Sequence, residues 1–300
     1  MRGHAELSLR FARLNEIRGI MTAMKSLSLV ETKKLARFIG HQRRMFANIE
    51  AAAADFLHFI QVANTADAQI ILILVGSERG FCGNFNERLL ATLDTLPRQD
   101  RAPVLVVVGN RLAAKLGNRP GVIARIDGAS VTEDVPAVLN RVMDALHTAS
   151  TASGAGATLF SLANEAEGEP TLKRLLPFDP PPAPHFAQPP RLQLAPPEFF
   201  AELLDQYLLA SLYGVLYESL SAESRQRLAH MEQALDRLGD IIDSLALKRN
   251  ALRQEKIVEE IEVILSSEMT FGDRGRQPDA APVRRHRLER RGSLRANPCR

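Results

Sequence analysis

A chain of 300 residues with 45% apolar content is ordinary for a soluble globular protein, and it has room for two domains or for one domain plus long helices. No run of 18 apolar residues occurs, and the opening MRGHAELSLR lacks a charged-then-apolar leader, so a cytosolic chain with no membrane span of its own is expected. The formal charge of +3 is uneven: residues 271 to 300 hold nine arginines against three acids, the remainder is net acidic, and the high pI is therefore poor evidence for nucleic-acid binding by a folded body.

In chain order, residues 9 to 62 predict one long helix. Leu14, Ile17, Met21, Met24, Leu35, Phe38, Met45, Ile49, Phe56 and Phe59 share one heptad phase, and Ser28, Glu31, Gln42 and Ala52 fill its other positions. Such a helix spans roughly 80 Å and needs a partner along it. The polar seam positions weaken that pairing but can fix its register.

After a short break at 63 to 68, QIILILV (69 to 75) reads as a buried parallel strand. The loop GSERGFCGNFN leads to a helix to Leu96 with Asn86 as its N-cap, and residues 97 to 103 form a turn. A second buried strand at 104 to 109, a short helix at 111 to 116 and an edge strand at 122 to 126 follow. Thr132 opens another helix as an N-cap followed by acids, running to about Thr148. Strands at 158 to 163 and 171 to 176 complete an alternating pattern, which predicts a three-layer, Rossmann-like α/β domain over 63 to 176.

Nine prolines between 177 and 197 predict an extended linker. Residues 198 to 270 then predict a second long helix, about 108 Å if unbroken. Leu228, Met231, Leu235, Leu238, Ile242 and Leu245 form its seam, while Gly214 to Ser224 is less regular. The phase slips between Leu252 and Ile257, where Ile257, Ile261 and Ile264 start a new face. The Arg-rich residues 271 to 300 predict disorder. The fold class is thus α/β plus coiled coil: two long terminal helices, antiparallel, with the α/β domain inserted between them.

Candidates for chemistry are few. Gly76 to Gly83 sits where a dinucleotide fold puts its phosphates, but it has neither Gly-x-Gly-x-x-Gly nor Gly-Lys-Ser/Thr, and a tight strand-to-helix turn is the better reading. Cys82 lies in that turn without a His-Asn pair that the sequence can place beside it, so a structural cysteine is favoured over a reactive one. Cys82 and Cys299 form no disulfide framework, and the seven histidines do not cluster, so no metal site is expected. Glu255, Glu259, Glu260 and Glu262 read as a solvated helix face pairing with Lys256 and Arg253. The pattern excludes a credible catalytic constellation and points to a mechanical or docking role. Two alternatives stand beside it: a Rossmann-like nucleotide-binding enzyme with dimerising helices, and a coiled-coil scaffold with a nucleic-acid-binding tail.

Three stretches carry a family resemblance. Leu14-Asn-Glu-Ile-Arg-Gly-Ile-Met-Thr-Ala-Met24-Lys25, with Lys33, Lys34, Leu35 and Ala36, resembles the N-terminal signature of the gamma subunit of rotary F-type ATP synthases. Ser77-Glu-Arg-Gly-Phe-Cys-Gly-Asn-Phe-Asn86 is similar to that family's Ser-Asp-Arg-Gly-Leu-Cys-Gly-Gly-Leu-Asn loop. Leu247 to Ile261, with Arg253-Gln254 and Glu260-Ile261, resembles its C-terminal signature. The resemblance implies a non-catalytic central-stalk rotor that couples transmembrane ion flow to ATP synthesis or hydrolysis by turning inside a ring of alpha and beta subunits. It implies the epsilon subunit and the membrane c-ring as further partners, a place on the cytoplasmic face of the inner membrane, no nucleic acid, and no cofactor. By motif match, Met24 and Lys25 would face the beta subunits, and Arg253 and Gln254 would contact their catch region. Ile257, Glu260 and Ile261 would complete the contact set. Asn84 in place of a second glycine, Ala246-Leu-Lys-Arg-Asn in place of a tyrosine-bearing segment, the proline-rich linker and the arginine tail depart from the pattern. They suggest a divergent, ion-pumping branch.

Overall fold

A computed structural model describes residues 2–59, 69–96, 102–153, 157–165, 169–178 and 188–272. The expected break at 63 to 68, most of the turn at 97 to 103, residues 179 to 187 of the proline-rich stretch and the arginine tail from 273 onward lie outside the described residues. In chain order the elements are α1 (Arg2–Phe59), β1 (Gln69–Val75), α2 (Phe85–Thr95), β2 (Val104–Val108), α3 (Asn110–Leu116), β3 (Val122–Ile126), a 3-10 turn (Thr132–Asp134), α4 (Val135–Ser153), β4 (Ala157–Asn164), β5 (Pro170–Leu176) and α5 (Pro196–Gly272). The chain divides into two compact units, Leu9–Ser244 and, from its two ends, Met1–Ser8 with Leu245–Arg300.

In the larger unit the sheet order is β3-β2-β1-β4-β5, parallel except for β5. β1 is central, with Ile71 opposite Val104 on one side and Leu159 on the other. Its continuous apolar run follows from this position, because both of its faces are covered. Leu72 and Leu74 pack with Leu89, Leu93, Leu112 and Leu116 under α2 and α3. Ile71, Ile73 and Val75 point the other way, into a core with Val138, Leu139 and Val142 of α4 and Leu212, Val215, Leu216 and Leu220 of α5. Leu35 of α1 belongs to the same core.

The stretch of α5 that looked irregular, 214 to 224, is thereby explained. It is buried on more than one side, so small residues replace a heptad stripe: Ser219, Ser221, Ala222 and Ser224 are all buried. A part of α5 also has the length and composition of a membrane span, with mean hydropathy 1.2. One third of that window is buried inside the protein, including Tyr207, Ala210, Leu212, Val215 and Leu216, and a single helix of this kind is weak evidence for a span. Pro196 and Pro197, assigned above to the linker, open α5, where a missing N–H costs nothing.

Within the larger unit α1 and α5 run antiparallel. Lys25 pairs with Glu232 at 3.0 Å, Phe38 stacks on Tyr217, Phe46 lies against Tyr207, and Phe56 lies against Phe199 and Phe200. The α5 seam follows the heptad, with Met231, Leu238 and Ile242 buried. The α1 seam does not. Ile17, Phe38 and Met45 are exposed, whereas Ala53 and Ala54 are buried and Phe46 makes the ring contact. A straight helix has 3.6 residues per turn, so its contact stripe drifts from a strict seven-residue repeat. Here α1 also has two neighbours, α5 from Lys25 to Phe56 and the α/β domain at Glu31 to Leu35.

Two expected caps are corrected. Asn86 lies inside the first turn of α2 rather than before it, and its side chain instead accepts the Ser77 N–H at 3.0 Å and donates to Ser77 Oγ at 2.8 Å. Thr132 does not cap α4: its N–H and hydroxyl both donate to Glu31 of α1, and Asp134 accepts the N–H groups of Ser130 and Val131. The acids that resembled a first helical turn serve the 3-10 turn and the interface with α1.

Candidate functional site

Open α/β sheets bind ligands at the carboxyl edge of the strands, in the crevice where strand order reverses. Here α2 and α3 cover one face and α4 the other, so that crevice lies between β1 and β4. It is filled by the protein itself. Ser219 Oγ of α5 donates to the carbonyl of Val75, and Asn164 at the end of β4 donates to the carbonyl of Phe85 at 3.2 Å. A Cβ on Gly76 would stand 2.5 Å from Leu112 Cβ, and one on Gly109, where φ is +108°, would stand 2.7 Å from the Gly76 carbonyl oxygen. Glycine is required at both, because the first two loops close directly on each other.

The loop after β1 aims its backbone donors at a carboxylate. Glu223 of α5 accepts the N–H groups of Glu78 and Arg79, each at 3.1 Å, and is ion-paired with Arg227 one helical turn on. Arg227 Nε also donates to the Gly80 carbonyl at 3.2 Å. Burial pushes the Glu223 carboxyl above the usual carboxylate range, while Arg227 and the two N–H groups pull it back. The backbone N–H groups that hold a phosphate in a dinucleotide fold are therefore engaged by the protein's own anion. Cys82 belongs to the same cluster, its Sγ 3.2 Å from the Arg79 carbonyl. Burial first, and the Glu223 charge second, push its thiol up to about 11, the reverse of what a reactive cysteine needs. Among the described residues, no group of His, Cys, Asp and Glu is arranged to hold a metal ion.

The residues singled out for partner contact fall into two sets, one in each compact unit. In the larger unit, Met24 is half-buried and Lys25 is held to α5 by its ion pair with Glu232. In the smaller unit, Arg253, Gln254, Ile257, Glu260 and Ile261 are all exposed, and Glu260 pairs with Lys256 at 3.3 Å. Every residue from 251 to 266 is exposed, including the large apolar Ile257, Val258, Ile261, Val263 and Leu265. The phase slip at Leu252 to Ile257 leaves α5 unbroken.

Sequence reasoning missed Glu223 and Arg227, and it treated Glu31 only as a weak seam position. The available signal was slight: a Glu-Arg pair four apart on a helix ordinarily reads as a solvated salt bridge. What distinguishes it is the company of Ser219, Ser221, Ala222 and Ser224, small residues on every side of the turn, which indicate close packing around the charges.

A family model described as ATP synthase matches residues 4–269. The ATP synthase gamma chain of Clostridium botulinum strain Langeland is 22% identical over 268 residues, covering 84% of this chain and 94% of the relative. That of Acetivibrio thermocellus is 24% identical over 297 residues, covering 87% and 96%. Among solved structures, the rotor of the Euglena gracilis mitochondrial ATP synthase in rotational state 1 is similar with a TM-score of 0.60 at 10% identity, covering 85% of this chain and 99% of that one. A chain of the Tetrahymena thermophila mitochondrial ATP synthase, central stalk and c-ring, gives 0.52 at 18% identity over 72% and 99%. From the first long helix, through the inserted domain, to the end of the second, this chain belongs to the ATP synthase gamma-chain family.

Proposed function

We propose that this chain is the central-stalk rotor of an ion-translocating ATP synthase, turning inside a ring of alpha and beta subunits and standing on a membrane c-ring. The observation that carries the reading is a family match running through both long helices and the domain between them. The chains it resembles in fold are described as a rotor and a central stalk with c-ring. The site geometry is consistent with a non-catalytic part: the backbone N–H groups that would hold a nucleotide phosphate are engaged by Glu223, which counts against a Rossmann-like enzyme.

The finer assignments are part of the same proposal. Residues 253 to 261 of α5 form the contact with the ring, because the exposed apolar face of Ile257, Val258 and Ile261 calls for a covering surface. Arg253 and Gln254 supply polar contacts to the beta subunits, and Ile257 and Ile261 a low-friction apolar surface, with Met24 and Lys25 facing the ring from α1. The complex works at the cytoplasmic face of the inner membrane, with the epsilon subunit beside the α/β domain.

Purification from native membranes tests the outline. The chain is expected to co-purify with two nucleotide-binding subunits in threefold excess, and a lone homodimer carrying a nucleotide would overturn the reading. Ile261→Asp tests the contact. At unchanged subunit content, ATP hydrolysis by the assembled complex should fall roughly 3- to 10-fold, equivalent to about 0.6–1.4 kcal/mol in barrier. Unchanged hydrolysis removes Ile261 from the contact set.

A further inference from the structure

Each long helix puts one buried carboxylate into the α/β domain. Glu31 of α1, 7% exposed, accepts the N–H of Thr132 at 2.6 Å and also the Thr132 hydroxyl. Glu223 of α5, 3% exposed, accepts the N–H groups of Glu78 and Arg79. Both receiving loops lie at the carboxyl edge of the parallel strands, one after β1 and the other after β3. Glu78 braces the two loops together. Its carboxylate accepts the N–H of Gly128 at 2.7 Å, in the loop leading to Thr132, and both the N–H and the side-chain amide of Asn110 at 2.9 and 2.7 Å. A chain of directional bonds thus runs from α5 through Glu223, the loop after β1, Glu78 and the loop after β3 to Glu31 and α1.

Apolar packing is non-directional and does not by itself specify one angle between two elements. Charge-assisted hydrogen bonds are directional and stronger than neutral ones. Burying carboxylates is costly, so their use here is better explained by what they specify than by net stability. A single such point lets a domain pivot about it; the two buried carboxylates on separate helices, with Ser219 and Arg227 bonded to Val75 and Gly80 and Lys34 paired with Glu133, do not. We infer that Glu31 and Glu223 are positioning residues that lock the α/β domain to the α1–α5 pair against twist, so that rotation of one is delivered to the other without angular slack. This inference rests on the rotor reading.

The test uses the whole complex with its ring fixed to a surface and a bead on the α/β domain. The bead is attached through Ile123→Cys, an exposed position on β3, in a Cys299→Ser background. Angular fluctuation of the stalled bead reports torsional stiffness, and ATP hydrolysis is measured on the same preparations. Glu223→Gln should act more strongly than Glu31→Gln. Glu223 uses both oxygens for N–H groups, so an amide fails one of them whichever way it is turned, whereas Glu31 uses a single oxygen that an amide retains. The variance of the bead angle should rise about twofold for Glu223→Gln and further for the double variant, on the scale of exchanging charged for neutral bonds. Hydrolysis per assembled complex should stay near that of the parent. Loss of fold alone would lower the yield of complex without widening fluctuation in the molecules that assemble, and unchanged variance in the double variant overturns the inference. A parent bead that does not turn with ATP overturns the rotor reading itself, which separates the two failures.

Discussion

Cys82 is 4% exposed, and its thiol is pushed from an ordinary 9.0 up to about 11. Because the folded value is the higher one, the neutral thiol's contribution is complete below pH 9 and is lost as pH rises towards 11. At most about 2–3 kcal/mol of stability disappears across that window. In a Cys299→Ser chain at pH 8, alkylation of Cys82 is expected to run about 100-fold slower than in the same chain unfolded in denaturant, from the thiolate fraction alone. Equal rates would show that the thiol is not held in this cluster. Gly109 offers a sharper residue-scale test. With φ at +108° and a carbonyl oxygen 2.7 Å from any Cβ, Gly109→Ala should cost about 2–4 kcal/mol in denaturant unfolding.

At the scale of elements, α1 is held by more than its seam. Leu35 is fully buried in the core shared by the sheet, α4 and α5. Leu35→Ala should therefore destabilise the chain by about 2–5 kcal/mol, whereas truncation of the exposed seam residue Met45 should cost far less. The contrast explains what could be read in advance. The inner strands β1, β2 and β4 were legible because each is a short apolar run with a single solution, a place in a doubly covered sheet. The α5 seam was legible because it meets one partner. The α1 seam was misphased because a helix touching two different neighbours need not keep one period. Asn86 and Thr132 were misread as caps because their hydrogen bonds go to residues nine and 101 positions away, beyond any local rule. Glu223 escaped notice for the same reason: its partners Glu78 and Arg79 lie on the far side of the inserted domain in sequence.

At the scale of the molecule, the inserted domain shares its core with both long helices. One face of its sheet is completed by Leu212, Val215, Leu216, Tyr217 and Leu220 from α5 and Leu35 from α1. A fragment spanning residues 69–178 should show no cooperative thermal transition and should bind an apolar dye, since its Ile71, Ile73 and Val75 face would be partly bare. A sharp transition in the fragment would mean that α4 alone suffices.

The core of that sheet also has a history in time. Its strands are complete in the nascent chain at Leu176, but the α5 residues that seal one face end only at Leu220. At translation rates of about 5–20 residues per second, the apolar face stays unsealed for roughly two to nine seconds of every synthesis. During that interval the bare face is the kind of transient apolar surface that drives aggregation. Slowing the ribosome between codons 177 and 220 should lower the yield of soluble chain, although no amino acid is changed.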